Sequence, residues 1–396
     1  MSYAVLALAG IAIALIGGLV LTALAFRRNP SRPRGRHLAA VGVTAAVLIV
    51  LTAVFDNVMI GAELFHYTPE HLLGPGIGLA PIEDFSYPMA AALLLPAMWI
   101  AVEQGGSQRR RDFATLVLAS RPVSWINTAF PFGAAYLLAT REIDWVFLVG
   151  VLYYLIPYNF AMYGINDVFD YASDLANPRK GGIEGALLAP RLHRPTLWIT
   201  ALTNIPFLLL LAAAGGPAAW LAMAVSTFAL VAYSAAGLRF KERPFLDSLT
   251  SSTHFVSPAV VGFLLAGAQL GSDTVLLLAA FFLWGMAAHA FGAIQDIGPD
   301  RQGGIHSTAT SIGARATARM ALVLWATAGV LMLFTPWPGP LGALIVVPYL
   351  LNCAPYWNVT DETSATTNRA WRRFIWLNYF SGFLATMLMI MVWYGV

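Results

Sequence analysis

Twelve long runs of apolar residues dominate this chain, each close to the length that crosses a lipid bilayer. They fall at about 3–26, 38–60, 87–103, 123–140, 144–163, 195–214, 217–236, 249–270, 274–294, 317–335, 340–357 and 372–394. A spanning helix needs about 20 predominantly apolar residues, so a chain of 396 residues accommodates a dozen helices with their loops. Charged residues make up only 11% of the chain and hydrophobic ones 58%, whereas soluble domains carry about 25% charged residues. That balance excludes a cytosolic enzyme, a secreted disulfide scaffold and a disordered chain. The single cysteine, Cys353, leaves no intramolecular disulfide. The expected fold is an all-α polytopic membrane protein of about twelve transmembrane helices.

The basic residues indicate how such a bundle would be oriented. With the N-terminus outside, 22 of the 23 Lys and Arg residues fall on inner segments at 27–36, 109–121, 179–194, 239–243, 301–319 and 369–373, and only Arg141 falls outside. Positive residues favour the cytoplasmic side. Both termini are therefore expected outside a cell membrane, and the net charge of +3 records orientation rather than a nucleic-acid partner. The basic stretch Arg27, Arg28, Arg32, Arg34 and Arg36 reads as a stop-transfer flank, not a cleavage site. The segment 61–86 is long enough to hide a re-entrant piece.

A small, polar, basic seam at 104–112 reads as a linker. It divides a three-span part, residues 1–105, from a nine-span part, residues 113–396, with 106–112 between them.

The nine-span part carries two acidic motifs. Asn166, Asp170 and Asp174 follow an i, i+4, i+8 spacing that puts them on one helix face, where the fifth span leaves the membrane. Asp167 lies off that face and reads as structural. Asp296 and Asp300 repeat the i, i+4 spacing at the end of the ninth span. The topology above places both clusters on the cytoplasmic side. Arg179, Lys180, Gly181 and Gly182 follow the first, and Arg301, Gly303 and Gly304 the second. Clustered carboxylates repel one another unless a counter-charge is present, and Mg²⁺ commonly binds through a few carboxylates together with substrate phosphates. Neighbouring Arg and Lys side chains would take the remaining phosphate oxygens. The combination suits departure of diphosphate while an allylic carbon becomes cationic. Solvated helix caps are the plainer reading of any single Asp.

The pattern AsnAspValPheAspTyrAlaSerAsp at 166–174 resembles the N-D-x-x-D-x-x-x-D motif of UbiA-type intramembrane prenyltransferases. AspIleGlyProAsp at 296–300 is similar to their second acidic motif, and Tyr233, Ser234, Arg239 and Lys241 to the segment after their fourth helix. The resemblance covers about 113–396. It implies nine spans and a site in which Asn166, Asp170, Asp174, Asp296 and Asp300 hold Mg²⁺ and diphosphate. Arg179, Lys180, Tyr233, Arg239, Lys241 and Arg301 would contact the diphosphate. Position 298 is Gly where many members place an acid, so the second metal would be held less tightly or through water. Within the family, AsnAspValPheAspTyr…AsnProArgLysGlyGly and GlnAspIleGlyProAspArg…SerThrAlaThr resemble carotenoid (lycopene) elongases, which use dimethylallyl diphosphate.

In the three-span part, Asp56 ends the second run, and an ionisable residue at that depth is a functional candidate or a helix-packing hydrogen-bond partner. Glu63, His66, Glu70 and His71 have no recurrent ligand spacing and read as a wet interfacial loop rather than a metal site. Glu83 and Asp84 are adjacent carboxyls among aromatics at the mouth of an apolar helix. A carboxylic acid in apolar surroundings can keep a proton at neutral pH, and aromatic faces stabilise a nearby cation, as protonation-driven cyclisation of a polyene requires. An ordinary interfacial acid pair is the alternative. Phe55-Asp56-Asn57, Pro69-Glu70-His71 and Pro81-Ile82-Glu83-Asp84 resemble one subunit of the heterodimeric carotenoid (lycopene) cyclases of actinobacteria, over residues 3–103. The resemblance implies a catalytic acid at Glu83, supported by Asp84, and a second cyclase subunit as partner.

The sequence is thus read as a cyclase-type subunit fused to a UbiA-type lycopene elongase. Two alternatives stay open. One is the same chemistry on a quinone precursor or another polyene, with Arg121, Asn127 and Asn159 as candidates for orienting a polar acceptor. The other is a twelve-span transporter, although transporters tend to show repeated halves and midplane polar sites.

Overall fold

The computed structural model describes residues 3–28, 30, 33–61, 67–103, 108–171, 175 and 187–395. They form two compact units, Met1–Ala114 and Thr115–Val396.

In the first unit, α1 (Tyr3–Arg28), α2 (Arg34–Gly61) and α3 (Ser86–Glu103) form a small bundle in which α3 packs against both of the others. Between α2 and α3 the chain departs from helix. Gly76–Ile77 and Ala80–Pro81 pair as a short antiparallel hairpin, β1 and β2, so this region is not purely helical. Asn57, at the end of α2, fastens it by donating to Ile77 O at 2.7 Å and accepting from Leu79 N at 2.6 Å. The tight turn needs Gly78: its φ is +67°, and a Cβ there would sit 2.1 Å from Asn57 Oδ1.

The polar seam is a helix from Gln108 onward: α4 spans Gln108–Ala119. Gln108 donates to Asp112 one turn on at 2.8 Å, and the arginines between them are good helix formers.

The second unit comprises α5 (Ile126–Thr140), α6 (Trp145–Leu155), α7 (Pro157–Phe169), α8 (His193–Ala214), α9 (Pro217–Ser234), α10 (Leu246–Leu265), α11 (Ser272–Ile294), α12 (Ile297–Gln302), α13 (Thr308–Met332), α14 (Val347–Cys353) and α15 (Asn368–Tyr394). Helix α10 is the hub, packing on α5, α9 and α11, while α11 pairs with α13. Close packing of α10 on α5 depends on Gly262, where a Cβ would lie 2.6 Å from Phe132 O. Two aromatic cores flank the hub. Phe132, Tyr153, Tyr154 and Tyr158 fill one, and Trp325, Tyr349 and Phe374 the other. Long apolar side chains such as Leu202, Leu209 and Leu351 point outward, the arrangement of a surface solvated by lipid rather than water.

Among the described residues nine helical segments are long and apolar enough to cross a membrane. The other three apolar runs are helical as Ser86–Glu103, Ile126–Thr140 and Thr308–Met332. The run at 340–357 is not one regular helix: Gly339–Val346 is 3₁₀ and α14 follows.

Candidate functional site

Helix α7 ends at Phe169, and the Asp170 amide bonds back to Asn166 O at 2.9 Å. That last turn leaves the Asn166 and Asp170 side chains together. Lys241, from the turn between α9 and α10, forms an ion pair with the Asp170 carboxylate and also reaches Asn166 Oδ1 at 3.3 Å. Ser234, the last residue of α9, donates to the same Asn166 oxygen at 3.0 Å. Arg239 stands 3.5 Å from Asp170 Oδ1 and pairs with Glu242. To present these cations the turn places Arg239 at φ +40°. That left-handed conformation costs an L-residue roughly 1–2 kcal/mol, and such strain concentrates at functional sites. Burial draws the Lys241 ammonium below the usual lysine value, opposed by Asp170. Glu242 is held low, chiefly by the hydrogen bond from Arg239.

The second acidic pair sits at the start of α12, Asp300 within its first turn. Asp296 is its N-cap residue, and the Asp300 amide donates to Asp296 O at 2.8 Å. Arg301, expected to meet diphosphate, is engaged elsewhere: it pairs with Asp361 at 2.8 Å and donates to Thr310 O at 3.0 Å. Asp361 also accepts the Ala314 amide at 2.7 Å, beside Gly313, where the backbone of α13 leaves helical geometry. That amide holds the Asp361 carboxyl below the usual carboxylate range.

Tyr233 turns its hydroxyl to His289 Nε2 at 3.0 Å. Asp167 is buried and lies 3.5 Å from Arg121, which fits its position off the acidic face. Arg121 also lies over the Tyr163 ring, and Asn159 donates to Thr128 Oγ1 and Tyr154 O. Two of the three candidates for orienting a polar acceptor thus serve packing. Asp174, Arg179 and Lys180, with Glu63 and His66 of the first unit, lie outside the described residues. Among the described residues no group of three or more His, Cys, Asp or Glu side chains is placed to hold a metal.

Sequence reading missed Asp247, Ser248, Glu242, His254, His289 and Asp361. Asp247 is fully buried and ties α10 to α13, accepting from Thr308 N at 2.7 Å and from Thr308 Oγ1. A signal for two of them was present: His254 and His289 lie inside the apolar runs at 249–270 and 274–294, and polar residues at such depth face a bundle interior.

In the first unit Glu83 is 5% exposed. Its Oε1 accepts the Leu73 amide at 2.6 Å, and its Oε2 has no hydrogen-bond partner. Asp84 accepts from the Tyr67 hydroxyl at 2.7 Å. Burial raises the Asp84 carboxyl above the usual range.

The sequence profile described as the UbiA prenyltransferase family matches residues 128–378. The chain belongs to this family. It is 45% identical to the C(50) beta-cyclic carotenoids biosynthesis protein LbtBC of Dietzia sp., over 92% of this chain and 94% of that one. It is 50% identical to a lycopene elongase/hydratase of Corynebacterium glutamicum, over 70% of this chain and 96% of that one. Among solved structures, a UbiA homolog from Archaeoglobus fulgidus bound to DMAPP and Mg²⁺ superposes with a TM-score of 0.50 at 19% identity. It covers 67% of this chain and 98% of its own. At that identity the likeness is one of fold. Family membership makes a prenyltransferase of the second unit and sets the transporter reading aside.

Proposed function

We propose that the chain is a carotenoid-modifying enzyme that transfers a dimethylallyl group from its diphosphate to the end of lycopene. On this reading, residues 1–105 are a cyclase-type domain that closes end rings with a second subunit, 106–112 join the halves and 113–396 are the elongase. The observation that carries the proposal is the convergence of Asn166, Asp170, Arg239 and Lys241 where α7 and α9 end. Support comes from relatives named for lycopene elongation and for cyclic C(50) carotenoids. The latter similarity extends over 92% of the chain and so takes in most of the first unit.

The donor set suits a hard divalent cation. Asn166 Oδ1 and Asp170 Oδ2 already converge on one positive charge, the Lys241 ammonium, and every proposed ligand, Asp174, Asp296 and Asp300 included, offers oxygen. When bound, Mg²⁺ would neutralise charge on the departing diphosphate. Arg239 and Lys241 would bind its oxygens, joined by Arg179, Lys180 and Tyr233. Arg301 would exchange Asp361 for diphosphate. Asn166 would hold its place through Ser234.

Cells that make lycopene and express this chain are expected to accumulate elongated carotenoids, identified by mass in extracted pigment. Unmodified lycopene alone would overturn the acceptor assignment.

Both termini are placed outside and the diphosphate site at the cytoplasmic face. Cys353 is buried, so an introduced thiol reports cleanly. Gln302 and Glu142 are exposed on what would be opposite sides. Gln302→Cys is expected to react with a membrane-impermeant maleimide only after cells are opened, and Glu142→Cys on intact cells. The reverse pattern would invert the topology.

A further inference from the structure

We infer that His254 is the base that ends prenyl transfer, accepting the proton released when the carbocation formed on the acceptor is quenched. The inference rests on the elongase reading above. His254 lies two turns into α10 from Asp247, is 3% exposed, and has no hydrogen-bond partner at either ring nitrogen. Leaving a buried polar group unpaired costs about 1–3 kcal/mol, so such a group calls for an explanation. The neighbouring histidine shows what a structural one looks like here: His289 uses both nitrogens, with Tyr233 Oη at 3.0 Å and Ser248 Oγ at 3.2 Å.

Its position matches the role. Ser234 bonds Asn166 at the proposed diphosphate end. The adjacent Tyr233 stands edge-on to His254, with ring centroids 5.3 Å apart. His254 therefore lies one residue layer behind the diphosphate ligands, toward the membrane interior from which a polyene acceptor would approach. One turn further along the same face, Ser257 opens a line of hydroxyls, donating to Ser226 at 2.7 Å, while Ser226 donates to Tyr158 at 3.1 Å. Polar groups so arranged can hold water in an otherwise apolar interior.

The step balances as follows. The C–O bond of dimethylallyl diphosphate breaks, and both electrons leave on diphosphate. The terminal double bond of the acceptor supplies the pair for the new C–C bond and becomes a tertiary cation. Water adds its oxygen to that cation and passes a proton to a free His254 nitrogen, giving an alcohol and an imidazolium. Without water, the same nitrogen takes a proton from the carbon beside the cation, giving an alkene. The imidazolium then releases its proton to bulk water.

The full chain in proteoliposomes, given lycopene, dimethylallyl diphosphate and Mg²⁺ in ¹⁸O-water, provides the test, with product masses and the labelled-alcohol-to-alkene ratio as readouts. Absence of elongation in the unmodified protein would sink the elongase reading itself and is distinct from failure of this inference. His254→Gln is expected to lower elongated product about a hundredfold, the scale of a lost general base, and to shift the alcohol-to-alkene ratio. His254→Ala should recover product when imidazole is added, because the small molecule replaces the missing base. Either variant at the unmodified rate and ratio would overturn the inference. So would a loss that imidazole does not restore and that leaves the ratio unchanged, since that is the behaviour of a packing residue. If His254→Ala does not fold, the product ratio of His254→Gln decides.

Discussion

Asp170→Ala and Asp296→Ala are each expected to slow dimethylallyl transfer by about a hundredfold or more. Groups that stabilise charge developing in a transition state commonly contribute about 2.7–4 kcal/mol, and each 1.36 kcal/mol is a factor of about ten in rate. Asp170 faces two cations at once, so removing it also leaves Lys241 and Arg239 without their shared anion. Two readings of a rate loss must then be separated. If Asp170 acts by holding metal, Asp170→Asn, which keeps one oxygen donor, should show a raised Mg²⁺ requirement and regain part of its rate at high Mg²⁺. If Asp170 only positions the cations, the Mg²⁺ dependence should not move. Asp167 supplies the contrast. Its partner is Arg121 and it is 1% exposed, so Asp167→Ala should lower yield and thermal stability more than the rate per folded molecule. Near-normal transfer in both Asp170→Ala and Asp296→Ala would remove the assignment of the acidic motifs.

What could be read from sequence here was whatever a helical period encodes. Asn166 and Asp170 are four residues apart on one helix, so their common face is a local property, and the apolar runs declare themselves by length. Contacts across the bundle leave no such trace. Asp361 meets Ala314 across 47 residues and Tyr233 meets His289 across 56. Both pairings depend on how helices pack. Composition does not reveal the helix at the seam, where Arg109, Arg110 and Arg111 lie within α4, because polarity and helix propensity are separate properties. The hairpin at 76–81 lies in the stretch 61–86, whose length alone suggests a re-entrant piece, and it is Asn57 on the distant α2 that defines it.

Ring formation is expected to stop in Glu83→Gln while elongation continues within about twofold, and the chain without a partner subunit should yield acyclic products only. Glu83 is the member of the adjacent pair that geometry favours for the proposed acid. Its Oε1 is fixed by the Leu73 amide, whereas its buried Oε2 has no hydrogen-bond partner within the protein. Asp84 already accepts from the Tyr67 hydroxyl, which suits a role in holding the site. A Gln side chain keeps the size and the bond to Leu73 but has no acidic proton, and loss of a general acid typically costs about 10²–10⁴ in rate. On the proposed reading the first unit supplies only one wall of the cyclase pocket, and a carbocation survives only where water is kept out. A second three-span subunit over Glu83 would close that pocket, so adding it to the purified chain with elongated substrate should produce rings. Cyclic product from the purified chain alone would overturn the need for a partner. Rings formed by Glu83→Gln at the normal rate would move the acid elsewhere, to Asp84 first. Loss of elongation in that variant would overturn the division of the two reactions between the two units.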